Sequence, residues 1–267
     1  MAILTISREY GSGGREIGQA VAYELGYDYI DRSKILEDIR QAGERWEKWS
    51  ETLDEHCPTV WEKYDWSFKG FAALIQSVIL QEALKDNVVI MGRGGNFLLR
   101  DVPFALRVRI TAPAEDRTLR IIERESVDSK TARWLMEKTD NERACFIHAL
   151  YGKPWDDAAE YDMTIDTADS PLDDISAMLV KTLRKKEALK SDEAMHLLRM
   201  RALAAKVKAA IATDSSFFLP VFDVLAEGGT IVVRGVSHTP AEHKRIEETA
   251  LKISGSVPVR CDLHYRV

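Results

Sequence analysis

Three glycines within four residues, Gly11-Ser12-Gly13-Gly14, followed at once by Arg15 and Glu16, form the stretch of this chain best suited to chemistry. Glycines admit positive φ and let the main chain come close to an anion. A loop of this kind, leading from a buried strand into a helix, points successive backbone N–H groups and the helix N-terminus at one place, which suits a phosphate. The full phosphate-loop pattern is G-x-x-x-x-G-K-[ST], in which lysine reaches the outer phosphates and the hydroxyl binds magnesium. Aligned on Gly13, this sequence has Arg8 in the first glycine slot, Gly14 in the lysine slot and Arg15 one position later. A plain β–α turn without a ligand is the alternative reading of the same residues. Three further groups could carry chemistry. Gly92-Arg93-Gly94-Gly95 follows an apolar run, where open α/β sheets place ligands. Arg117, Arg120 and Arg124 fall near one helix face, with Glu115, Asp116 and Glu123 at hand to neutralise them. Asp140 and Arg143 lie three apart on a further helical stretch.

The elements that must position these residues alternate between strand and helix. Apolar, β-branched runs at 2–6, 27–31, 88–91, 106–111 and 161–167 read as short buried strands. Helical spacing appears from Ile17, over 34–43, over 71–84, after Pro113, over 129–150 and over 173–183. Five strands separated by helices imply a parallel sheet covered on both faces. Residues 44–70 interrupt this rhythm with Trp46, Trp49, Trp61 and Trp66, which reads as a helical insertion with an aromatic seam, or as one that closes over a substrate. The charged stretch 184–195 reads as a helical linker. Beyond it a helix over 196–212, strands over 219–225 and 230–235 joined at Gly228-Gly229, a helix from Thr239-Pro240 and a last strand over 257–265 give a small α-β-β-α-β unit.

Composition excludes several classes. With 45% hydrophobic and 30% charged residues, the 267-residue chain is ordinary globular material for one large domain or a medium and a small one. The net charge is −6, and it is uneven: residues 196–267 carry 10 Lys/Arg against 7 Asp/Glu, and residues 1–195 carry 27 against 36. An acidic chain argues against general nucleic-acid binding, which depends on phosphate neutralisation. Cys57, Cys145 and Cys261 are widely spaced with no C-x-x-C pair, so neither zinc nor a disulfide framework is expected, and a reducing, cytoplasmic location follows. The apolar opening strand lacks a basic leader and a small-residue cleavage site, so no secretory signal is expected, and the apolar runs are far short of a membrane span. A Ser-His-Asp hydrolase is unsupported, since no G-x-S-x-G elbow occurs.

Residues 1–183 resemble the cytidylate-kinase-like branch of the P-loop nucleoside monophosphate kinases. The likeness rests on Ile6-Ser7-Arg8-Glu9-Tyr10-Gly11-Ser12-Gly13-Gly14, on Gly92-Arg93, on Thr111-Ala112-Pro113-Ala114-Glu115-Asp116-Arg117 with Arg120, on the D-x-x-R spacing of Asp140 and Arg143, and on Ile165-Asp166-Thr167. Gly94 replaces the aspartate of the Gly-Arg-Asp found in cytidylate kinases. The resemblance implies an acceptor-binding region at about 34–85 and a lid at about 115–155. Residues 196–267 resemble a BON domain through Gly228-Gly229-Thr230-Ile231-Val232-Val233-Arg234-Gly235-Val236, which implies contact with a membrane surface or a protein partner.

On this resemblance the chain is a kinase transferring the ATP γ-phosphoryl group to a CMP-like nucleoside monophosphate, with magnesium. Gly11, Ser12, Gly13, Gly14, Arg15 and Glu16 would bind the donor, Ser12 offering its hydroxyl to the metal and Arg15 standing in for the absent lysine. Arg15, Arg117, Arg120 and Arg143 would neutralise the moving charge through guanidinium geometry, while Arg93 and Asp140 would meet the acceptor. The departures from the pattern leave a second implied reading, a nucleotide- or phosphate-binding regulatory protein of weak activity, and a third, a scaffold.

Overall fold

A computed structural model describes residues 2–40, 46, 57–217, 219 and 221–265. β1 (Ile3–Arg8) is buried along nearly its whole length, as an apolar strand inside a parallel sheet must be. It lies between β3 (Val88–Met91) and β4 (Ala105–Thr111). β2 (Asp28–Ile30) sits outside β3 and β5 (Met163–Asp166) outside β4, so the order is β2-β3-β1-β4-β5 with every pairing parallel. The expected five-stranded parallel sheet is present. Pairing of Ile6 with both Met91 and Val108 sets the central strands level, and the turns that follow them open along one edge.

Helices cover both faces. α1 (Gly14–Leu25) follows β1, and α2 (Arg32–Arg40) follows β2. α3 (Val60–Tyr64) and α4 (Trp66–Leu84) precede β3, and α5 (Gly95–Leu98) follows it. α6 (Ala114–Glu125) and α7 (Ser129–Tyr151) lie between β4 and β5, and α8 (Leu172–Glu187) follows β5. Ile17 and Val21 of α1 meet Leu179 and Leu183 of α8 in one core, while Phe71, Ile75 and Ile79 of α4 pack with Ile3 and Ile90 in the other. α4 starts five residues before the expected Phe71, because the Asp65 carboxylate accepts from the Ser67 N–H at 2.6 Å and caps it. In the aromatic seam, Trp46 is buried with its ring 5.9 Å from that of Trp66, whereas Trp61 is 86% exposed. Trp49 lies outside the described residues. The cysteine expectation is corrected: Cys57 and Cys145, 88 residues apart, are disulfide-bonded with Cα atoms 5.1 Å apart, and only tertiary folding brings α7 beside the start of α3.

α9 (Asp192–Thr213), β6 (Phe222–Glu227), β7 (Thr230–Ser237), α10 (Pro240–Ser254) and β8 (Val259–Tyr265) supply the expected α-β-β-α-β order. Their sheet runs β6-β7-β8, antiparallel across the hairpin and parallel between β7 and β8. The charged connection ahead of it is short, since α8 continues to Glu187 and Ser191 already caps α9 by accepting from the Ala194 N–H. α9 is buried on two sides. Ala194, Leu198 and Ala202 join the core of α4, and Met200, Ala204, Val207 and Ile211 join that of β7 and α10. On the small sheet Arg234 and Arg260 are ion-paired with Glu227 and Asp262. No helix among the described residues is long and apolar enough to cross a membrane.

Candidate functional site

At the end of β1 the chain turns through Glu9–Gly13 into α1, with Gly13 as N-cap at φ +82°. The first N–H groups of a helix have no partner inside it, and its N-terminal dipole favours an anion. Here they border a cavity of about 360 Å³ rimmed by the loop and by Arg8, Arg124 and Arg143.

The loop is held from behind through its carbonyl groups. Arg143 donates to the Arg8 carbonyl at 3.2 Å, Arg117 to that of Tyr10 at 3.4 Å, and Arg120 to that of Gly11 at 3.3 Å. Thr167, the last residue of the Ile-Asp-Thr patch, donates its hydroxyl to the Ser12 carbonyl at 3.1 Å and accepts from Arg120 at 3.0 Å. Asp140 accepts from the Tyr10 N–H at 2.8 Å and from Arg117. The Glu9 carboxylate accepts from Arg109 at 3.3 Å and lies 3.7 Å from Arg117. These bonds fix the shape of the loop, with the Tyr10 N–H turned to Asp140 and the Ser12 N–H to the Glu9 carbonyl at 3.2 Å, so that the first amides of α1 are the ones placed to meet an anion.

The sequence-derived site residues therefore separate. Arg117 and Asp140 pair with each other and grip the loop, and neither lines this cavity. Arg120 braces the loop and faces a neighbouring groove. Arg143 both braces the loop and lines the cavity, beside Gly11, Ser12, Gly13, Gly14, Arg15 and Glu16. Arg15 and Glu16 are exposed on the first turn of α1. Ser12 is buried, and its hydroxyl oxygen is an orphan without a hydrogen-bond partner, at the foot of the loop. Among the described residues no group of three or more His, Cys, Asp or Glu side chains is placed to hold a metal. Arg124, grouped with Arg117 and Arg120 on sequence but given no role by the resemblance, reaches the rim: its guanidinium lies 4.7 Å from the centre of the Tyr10 ring and bonds Glu125 at 2.9 Å. Burial raises the Tyr10 phenol above its usual range, opposed by the Arg124 charge and helped by the hydrogen bond to Glu125.

A second, much smaller cavity of about 20 Å³ adjoins the first, and Arg8 and Arg143 line both. It contains Arg93, which is 5% exposed and whose guanidinium lies 5.5 Å from the centre of the Phe146 ring. Trp155 forms another wall, donating its indole N–H to Ser7 Oγ at 2.8 Å. The Trp155 carbonyl accepts from Arg109 at 3.0 Å and from Tyr161 at 2.7 Å, and the Arg109 guanidinium sits 4.4 Å from the indole centre. This buried network was invisible in the sequence because its members are far apart along the chain. Gly94 now has a physical explanation. The Tyr151 ring sits where its side chain would be: a Cβ at Gly94 would lie 2.1 Å from Tyr151 Cε2. Tyr151 stacks on Phe97 with ring centres 5.0 Å apart and donates its hydroxyl to the Arg93 carbonyl at 2.7 Å.

Comparison with known proteins places this geometry. Residues 3–169 match the model of the Cytidylate kinase-like family. The cytidylate kinase of Sulfurisphaera tokodaii is 24% identical over 178 residues, which cover 66% of this chain and 92% of that protein. The cytidylate kinase of Ignicoccus hospitalis is 26% identical over 173 residues, covering 63% of this chain and 91% of that protein. The crystal structure of an uncharacterised protein from Eubacterium ventriosum shares the fold with a TM-score of 0.55 at 24% identity, over 69% of this chain and 99% of the other. The family match ends before α9 and the small sheet.

Proposed function

This chain belongs to the cytidylate kinase-like family, and from that premise we propose that it is a nucleotide kinase moving the ATP γ-phosphoryl group to a nucleoside monophosphate. The observation that carries the reading is the pair of adjoining cavities with Arg8 and Arg143 common to both, at the sheet edge where β1 and β3 end. Phosphoryl transfer asks a protein mainly to align donor and acceptor and to neutralise charge on the group in flight. The amides of Gly11, Gly13 and Gly14 and the start of α1 would hold the donor phosphates, with Arg15, Glu16 and Arg124 at the rim, while the Ser12 amide is held by the Glu9 carbonyl. Magnesium, when bound with the nucleotide, would supply further neutralisation, and the orphaned Ser12 hydroxyl is the loop group suited to it or to a phosphate oxygen. Arg117, Arg120 and Asp140 would act by holding the loop in shape, and Arg93 would meet the acceptor phosphate.

A space of about 20 Å³ accepts little more than a water molecule. The acceptor would thus enter by displacing the wall made by Phe146, Ile147 and Trp155, an opening motion at the C-terminal end of α7. The same closed wall favours the second reading, a nucleotide-binding regulatory protein with little turnover. For residues 196–267 we keep the BON-like contact role as a proposal supported by the α-β-β-α-β order alone, tested by cosedimentation of the intact chain with anionic liposomes at low salt.

Thermal unfolding with magnesium and a panel of nucleoside mono- and triphosphates tests the site reading, because a ligand that binds only the native state raises the transition by mass action. A rise with ATP and a further rise with one monophosphate is expected. No rise with any nucleotide would sink both nucleotide readings.

A further inference from the structure

Position 14 lacks the lysine of the phosphate-loop pattern, and the structure holds a cation elsewhere in its place. Arg8, in the slot where the pattern has glycine, lays its side chain across the loop. A Cβ built on Gly14 would fall 2.6 Å from Arg8 Cβ and 3.2 Å from Arg8 Cγ. A Cβ built on Gly92, in the turn after β3, would fall 2.4 Å from Arg8 Nη1. The stem of Arg8 therefore passes over the start of α1, and its guanidinium lies against the β3 turn. That is the boundary between the two cavities, and Arg8 lines each of them.

We propose that this loop has exchanged the positions of its glycine and its cation, so that Arg8 performs the phosphate-neutralising task that lysine performs in the common pattern. This rests on the phosphate-site reading given above. The steric relation is reciprocal. A side chain at position 14 collides first with that of Arg8 and also approaches Ile110 Cβ at 3.2 Å, so a side chain at one of positions 8 and 14 crowds out the other. Arg15, the substitute that sequence order suggests, starts one residue further along the helix, on its exposed first turn. Arg8 instead starts at the end of β1, is steadied by the bond from Arg143 to its carbonyl, and carries a planar donor fork to the place where a phosphoryl group would pass from one cavity to the other. A guanidinium there meets the donor's terminal phosphate and the acceptor phosphate from one position. No proton leaves it during transfer, since it stays charged throughout.

The test uses four forms of the full chain: wild type, Arg8→Gly, Gly14→Lys, and the double variant Arg8→Gly/Gly14→Lys, which restores the common pattern. Each is measured for its melting temperature with and without tripolyphosphate, then for ATP-dependent turnover. Gly14→Lys alone is expected to melt lower than wild type, because its side chain meets that of Arg8. Arg8→Gly should fold, lose the tripolyphosphate shift, and lose turnover by about 10²–10³-fold, the usual scale for removing one preorganised charge-stabilising group. The double variant should regain most of the melting temperature lost by Gly14→Lys, the approach to Ile110 Cβ remaining, and recover the tripolyphosphate shift. A wild type that responds to tripolyphosphate but turns over no nucleotide would refute the kinase reading and leave this inference to be decided by Arg8→Gly. The inference is overturned if wild type does not respond to tripolyphosphate, if Arg8→Gly keeps the shift, or if the double variant binds the anion no better than Arg8→Gly.

Discussion

Restoring the aspartate that cytidylate kinases carry at the position of Gly94 should damage this protein, and the loss can be worked from Tyr151. Gly94 has φ +75°, so any other residue there incurs left-handed strain of about 1 kcal/mol. A side chain at 94 also cannot coexist with the Tyr151 ring, whose Cε2 atom would be 2.1 Å from the new Cβ. Expelling the ring abandons its hydrogen bond to the Arg93 carbonyl, worth about 1–3 kcal/mol when the acceptor is left buried. It also abandons the stacked contact with Phe97, worth about 0.5–1.5 kcal/mol. Gly94→Asp should therefore cost about 3–5 kcal/mol, or on the order of 10 °C in melting temperature. Most of that loss passes through one partner, so it should largely disappear once the ring is gone. In Tyr151→Ala, itself destabilised by about 3–5 kcal/mol, the same Gly94→Asp change should add only about 1 kcal/mol. Urea unfolding of the four proteins in this cycle measures the coupling. Additivity within about 0.5 kcal/mol, the behaviour of independent sites, would show that Tyr151 is not what excludes a side chain at Gly94.

Three further outcomes follow from the packing. Asp140→Ala should lower stability by about 2–4 kcal/mol in urea unfolding, since it strips an acceptor from the Tyr10 N–H and a counter-charge from Arg117; Asp140→Asn, which keeps an acceptor for Tyr10, should lose less, and no loss in either would mean Asp140 does not hold the loop. Burial pushes the Asp162 carboxyl up, but the hydrogen bonds and charge of Arg107, with help from Lys186, outweigh it and hold it below its ordinary value. A depressed carboxylate stabilises the fold above its unfolded pKa and loses that contribution as pH falls through the folded one, so Asp162→Asn should flatten the acid limb of the stability–pH curve below about pH 4 and an unchanged limb would contradict this. Thiol titration of unreduced protein unfolded in guanidinium should find one reactive thiol, that of Cys261, whereas three would show that Cys57 and Cys145 are not bonded.

The sheet was legible because buried parallel strands are short apolar runs, and Leu4, Val89 and Val108 belong to such runs wherever the helices fall. The glycine loop was legible because few other tasks call for three glycines in four residues after a strand. What stayed hidden is what depends on residues distant in sequence. Arg117, Arg120 and Asp140 look like ligand-binding residues by type and spacing, yet they bond the carbonyls and amide of the loop more than a hundred residues away in the chain, with Glu9, Thr167 and each other as further partners. The pairing of Arg8 with Gly14 could be suspected from the two departures from the pattern, but only the chain path shows that one side chain excludes the other. α9 carried a misleading signal of its own. The charged stretch before it suggests a spacer, yet its apolar residues on two sides bury into two different cores.

The most direct test of the central claim is a transfer assay on the purified 267-residue chain with ATP, magnesium and each nucleoside monophosphate in turn, following both products by ³¹P NMR. ADP and one nucleoside diphosphate should form in equal amounts, and more slowly with Arg8→Gly. ADP formed with no nucleoside diphosphate, or no consumption of ATP with any acceptor, would contradict that claim.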